Sequence, residues 1–130
     1  MENRSKLKLA NKCHELVSFS RIKLRQYPNA ERFSLTMEIK NSARLMHRLS
    51  IRLSQAEHKK KLLDTLDEEV QVFRTLIYDS KSYGYINFDT YEEWSYFIAE
   101  VGKMVGQWKE NIKQDANKAK TSAINRYNKR

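Results

Sequence analysis

The chain has 130 residues, about one domain's length, and is long enough to bury a core without disulfides or metals. Three glycines and one proline are too few for a turn-rich all-β fold, and 2 Trp, 7 Tyr and 5 Phe are too many for a disordered chain. The net charge is +9, the single Cys13 excludes an internal disulfide and a multi-cysteine zinc site, and the longest run without Asp, Glu, Lys or Arg, residues 82–88, cannot span a membrane.

Helical spacing runs through most of the sequence. The first segment places Leu9, Cys13, Leu16, Val17, Leu24 and Tyr27 on an apolar stripe and ends ahead of Pro28, which disfavours helix in the residue before it. Asn29 reads as the N-cap of the second helix, with Glu31 in its first turn where the helix dipole favours negative charge. The second helix carries Leu35, Ile39, Ser42, Met46, Leu49, Leu53 and Ala56, a seam facing other helices. A third helix over residues 59–82 places Leu62, Leu66, Val70, Phe73 and Ile77 on one side. Residues 83–87 form a short turn around Gly84, after which Asp89 with Glu92, or Thr90 with Glu93, has capping-box spacing. The last helix has the cleanest stripe: Tyr91, Trp94, Ile98, Val101, Val105, Trp108 and Ile112. Four helices with short connections predict an all-α, antiparallel up-down-up-down four-helix bundle over residues 1–112, followed by a solvated or frayed basic tail over residues 113–130, with continuation of the last helix over residues 110–123 left open because its apolar stripe fades after Ile112. Residues 1–25 are studded with charge and lack the apolar core of a secretory leader, so a cytoplasmic protein is expected.

The positive charge is segregated. Residues 1–25 carry +5, residues 26–60 carry +4 and residues 109–130 carry +5, whereas residues 61–82 carry −2 and residues 83–108 carry −3. Segregation of this kind suggests a basic face aimed at a polyanion, with nucleic acid the leading partner over an acidic protein or a membrane surface. Lys40, Arg44, Arg48 and Arg52 recur every four residues on the second helix, off its apolar seam, with His47 beside them. Successive positions drift by about 40°, which makes one slanted ridge roughly 18 Å long. No acidic residue stands four places from any of them along this stretch, so the row repels itself, and an uncompensated cost points to a ligand. Arg4, Lys8 and Lys12 repeat the spacing on the first helix, and Arg21 and Arg25 are expected to widen the ridge from there. Gly102 and Gly106 interrupt the last helix at about 1 kcal/mol each against Ala, which implies close packing by a neighbouring helix or a second subunit.

Catalytic signals are weak. None of His14, His47 and His58 stands four residues from another, there is no Gly-rich phosphate loop, and no metal-ligand spacing or cofactor signature is present. Cys13 lies on an apolar stripe and reads as a small buried hydrophobe. Arg52 and His58 have the R-x5-H spacing used by all-α ribonucleases of the HEPN class, but the residue after the arginine is Leu53, a core position, where those enzymes favour a polar one.

Two stretches carry a family resemblance. The first is Tyr27-Pro28-Asn29-Ala30-Glu31-Arg32-Phe33-Ser34-Leu35 with Glu38-Ile39-Lys40. The second is Tyr85-Ile86-Asn87-Phe88-Asp89-Thr90-Tyr91 with Ala99-Glu100-Val101-Gly102-Lys103-Met104-Val105-Gly106-Gln107-Trp108. They resemble the four-helix-bundle proteins that include the accessory variability determinants of diversity-generating retroelements and the proteins encoded in 23S rRNA intervening sequences. The resemblance covers residues 7–108, and the ending at Trp108 favours the retroelement branch. Gln107 replaces a second glycine of the family pattern, and the basic tail lies beyond it. The resemblance implies a homopentamer of four-helix bundles. It also implies a cationic surface that binds the retroelement's template RNA and its reverse transcriptase, in a protein that is not itself an enzyme.

Overall fold

The computed structural model of the chain describes residues 3–128, with side chains described from Leu7 onward. Four helices follow one another: α1 (Asn3–Leu24), α2 (Leu35–Gln55), α3 (Lys60–Ser82) and α4 (Phe88–Asn128), with a 3-10 turn at Asn29–Glu31 between the first two. No strand occurs among the described residues. Each helix packs on the next and α4 returns to α1, while the diagonal pairs do not meet, so the molecule is an antiparallel four-helix bundle.

The core is built by the stripes that the sequence predicts. Leu9, Cys13 and Leu16 of α1 meet Ile39, Met46, Leu49 and Leu53 of α2, Leu66, Val70, Phe73 and Ile77 of α3, and Trp94, Ile98, Val101, Val105 and Trp108 of α4. One position shifts on α3: Leu63 is fully buried and Leu62 only packs against the edge of the core. Trp94, Ser50 and Ser80 find partners within the chain, while Thr36 Oγ1 is buried without one among the described residues. The Trp94 indole N–H donates to Ser20 Oγ at 2.9 Å, and the Ser50 and Ser80 hydroxyls donate to the carbonyls of His47 and Leu76. Burial pushes the Cys13 thiol up to about 11, against an opposing hydrogen bond with Ser50, so it is an inert apolar filler at neutral pH.

The helix ends correct two expectations. Asn29 opens the 3-10 turn instead of α2, which begins at Leu35. Ser34 Oγ donates to the Glu31 carboxylate, and the Tyr85 hydroxyl donates to the same carboxylate at 2.8 Å, tying the α1–α2 turn to the α3–α4 turn. These two hydrogen bonds, Ser34's first, hold the Glu31 carboxyl below its ordinary pKa. At α4 the cap is Asn87, whose Oδ1 accepts the Thr90 N–H at 2.8 Å. Asp89 and Thr90 are already inside the helix, because Asn caps as well as Asp and comes first in the chain. The α3 end closes on Gly84 at φ +78°, where the Gly84 N–H reaches the Lys81 carbonyl and the Tyr85 N–H reaches the Ser80 carbonyl.

At the C-terminal end α4 continues past Ile112 to Asn128, beyond residues 110–123 over which the sequence leaves continuation open, and every described residue from Lys113 on is exposed. The tail is solvated, as expected, and helical, because it inherits the nucleus of a packed helix and contains Ala116, Ala119 and Ala123.

Candidate nucleic-acid interface

Lys40, Arg44, Arg48 and Arg52 are all exposed on α2. The ion pairs among the described residues join Lys12 to Glu15 and Lys109 to Asp64 and Asp67, so none engages the ridge. The self-repelling row therefore keeps its full charge in the folded chain. Lys40 shares a strip with His47, two turns apart, and each later member turns by about 40° across the outer face of α2 away from α1.

The α1 side of this face is set by a contact the sequence did not announce. The rings of His14 and His47 lie 5.4 Å apart across the α1–α2 groove. This pins the antiparallel register. Arg21 and Lys40, each seven residues or about 10.5 Å from its histidine, come level with one another. Arg21 lies on the same strip of α1 as His14, Arg25 stands in the turn just after α1, and both are exposed on the side of the Lys40 end of the ridge and not its Arg52 end. Burial, and secondarily His14, lowers the His47 pKa below its ordinary value. The pair was hidden because it is a tertiary contact between helices; the signal available was the register of two antiparallel helices about the Pro28 turn.

The other basic row of α1 does not join. Lys12 turns toward α4, stands 5.7 Å from the Tyr96 ring centre and pairs with Glu15, whose hydrogen bond raises its pKa. Lys8 lines a groove with Glu100, Lys103 and Gln107 of α4. The Arg4 side chain lies outside the described residues. Arg52 and His58 are both exposed, His58 in the α2–α3 connection, and no hydrogen bond or ring contact joins them, while Leu53 is fully buried. The described residues hold no group of three potential metal ligands, and no described helix is long and apolar enough to cross a membrane.

The acidic residues sit elsewhere. Lys109 Nζ lies 3.2 Å from both Asp64 and Asp67, beside a cavity of about 630 Å³ between the start of α3 and α4 that Leu63, Gly106 and Ile112 also line. Hydrogen bonds donated by Lys109 to Asp64 and then Asp67 raise its pKa. A Cβ added at Gly102 or Gly106 would meet nothing within 4 Å. No helix of the same chain presses on either glycine, so the neighbouring-helix explanation fails within the chain.

A family model described as bAvd-like matches residues 7–112. No curated protein and no solved structure matches the chain.

Proposed function

The chain belongs to the bAvd-like family, and from that premise we propose that it is a non-enzymatic accessory protein of a diversity-generating retroelement. In this reading it binds template RNA through its basic surface and holds it for the reverse transcriptase, supporting mutagenic cDNA synthesis. The observation that carries the reading is the exposed ridge of Lys40, Arg44, Arg48 and Arg52, unpaired in the fold and widened by Arg21 and Arg25. Convex and cationic, such a surface neutralises phosphates and releases counterions without reading base edges, so it holds RNA with little sequence preference. A homopentamer, with Gly102 and Gly106 on the contact between copies, completes the proposal. Open backbone at two helix positions lets a second subunit approach closely.

The test is RNA affinity as a function of salt. Replacing Arg44 and Arg48 with Ala should leave the fold and the oligomer intact, weaken binding for all sequences alike and make the log–log salt slope shallower by about one unit or more. Light scattering on the same samples should return a mass near five times 15.5 kDa. An unchanged slope in the folded double variant would make the ridge an ordinary solvated face.

A further inference from the structure

The second half of α4 buries no side chain in the core. Trp108 is the last buried residue, Ile112 only packs against the edge of the core, and Lys113, Ala116 and Asn117 line the cavity beside the start of α3; the helix then runs on to Asn128, roughly 16 Å further. A helix that is polar nearly all round and unsupported by packing is marginal in water unless something binds it.

Its side chains say what kind of partner fits. Lys113, Lys118, Lys120 and Arg126 face a single acid, Asp115, and none of the four enters an ion pair. Between them stand amides and hydroxyls (Gln114, Asn117, Thr121, Ser122 and Asn125), and Tyr127 is 80% exposed. Cations, amides and one open aromatic ring are the groups that grip phosphate, sugar and an unstacked base. The apolar content, chiefly Ala116, Ala119, Ala123 and Ile124, is too small to give a second protein the buried area that a stable interface needs.

Position strengthens the case. α2 and α4 run in the same direction in the antiparallel bundle, so the Arg52 end of the ridge and the projecting part of α4 leave at the same pole. The start of α3 adds exposed Lys60 and Lys61 there, and Lys59 stands 5.4 Å from the Trp108 ring centre. The Arg52 end of the ridge, the start of α3 and the arm thus gather their lysines and arginines at one pole, beside Asp64, Asp67 and Glu110.

We propose that residues 113–128 are a second RNA-binding element, an arm that takes up sugar–phosphate backbone beyond the reach of the ridge. The proposal rests on the RNA-binding reading above. Its test uses the full chain with Lys113→Gln, Lys118→Gln, Lys120→Gln and Arg126→Gln, substitutions that keep helix propensity and remove only charge. Single-stranded RNA of ~8 and ~30 nucleotides is titrated across a salt series, the shorter strand covering one site's length only. On the long strand the variant should bind at least tenfold more weakly, with a salt slope shallower by about 2–3, as for four lost cations at ~0.7 each. On the short strand the two proteins should differ little. Equal slopes on the long strand overturn the arm while leaving the ridge standing, whereas no RNA binding by the unsubstituted chain removes both. A second variant, Ala116→Gln with Ala123→Gln, alters the small-residue stripe and keeps the charge. A changed oligomeric mass in that variant, together with an unchanged long-strand slope in the charge variant, would make the arm a contact between copies and overturn the proposal.

Discussion

The Lys40–Arg52 row of α2 and the Asp64–Glu69 run of α3 are charged with opposite sign and put to opposite use. On α3, Glu69 accepts a hydrogen bond from the buried Ser42 hydroxyl at 2.6 Å, and Asp64 and Asp67 hold Lys109 of α4. Those carboxylates join helices to one another. On α2, no ion pair takes up Lys40, Arg44, Arg48 or Arg52. Charge that stitches the fold is already spent on it; charge left over is available to a ligand. The asymmetry separates a structural face from a binding face on two neighbouring helices.

The comparison presumes a common core beneath both faces, and the largest effect breaks that core. Trp94→Ala removes a fully buried ring that stacks edge-on against Phe19 and donates to Ser20, and should cost about 3–5 kcal/mol in urea unfolding. A loss below about 1 kcal/mol would show that the α1–α4 contact is not organised around it. Next comes the contrast itself. Glu69→Ala leaves the Ser42 hydroxyl unpaired and should cost about 1–3 kcal/mol with little change in RNA affinity. Arg48→Ala should stay within about 0.5 kcal/mol of the parent while weakening RNA binding. Equal stability costs would make the ridge structural and erase the distinction.

The smallest effect sharpens the comparison through pH. His47 has a lowered pKa in the fold, so the unfolded chain binds its proton more readily. Its contribution is full above the unfolded value near ~6.5 and is lost as pH falls below it. The groups around it are basic: His14 across the groove, and Arg44 and Arg48 on its own helix. Phosphate reverses the sign, because a polyanion favours the imidazolium. Between pH ~7.5 and ~5.5, unfolding midpoints should fall while RNA affinity at constant salt rises, and His47→Gln should flatten both trends. A pH-independent affinity in the parent would place the histidine pair outside the interface.

Periodicity made the four helices and most of the core legible, since burial repeats every three or four residues and the stripes on α2 and α4 are unbroken. Local signals were weaker where two residue types compete for one job. Asn87 took the cap that Asp89 and Thr90 also fit, and Leu63 took the core position that Leu62 seemed to fill, because a one-residue phase shift cannot be seen when both neighbours are leucine. The ridge was legible because it lies on one helix, whereas the His14–His47 contact was not, because it depends on two helices meeting. The glycine spacing on α4 suggested close packing, whereas the same chain leaves both positions open. The continuation of α4 was legible only over residues 110–123, because its stripe changes from bulky residues to alanines, which lowers hydrophobicity without lowering helix propensity.

The two tryptophans of α4 also give the molecule an optical ruler. Trp94 is sealed at one height beside Ser20, and Trp108 lies roughly 21 Å further along the same helix, capped by the Lys59 ammonium at the base of the arm. Both emit from dry surroundings in the native state, yet only Trp108 borders the pole where the positive charge gathers. A polyanion arriving there alters the electric field across one indole and leaves the other unperturbed. The chain therefore carries its own reporter and its own reference fluorophore, without a label.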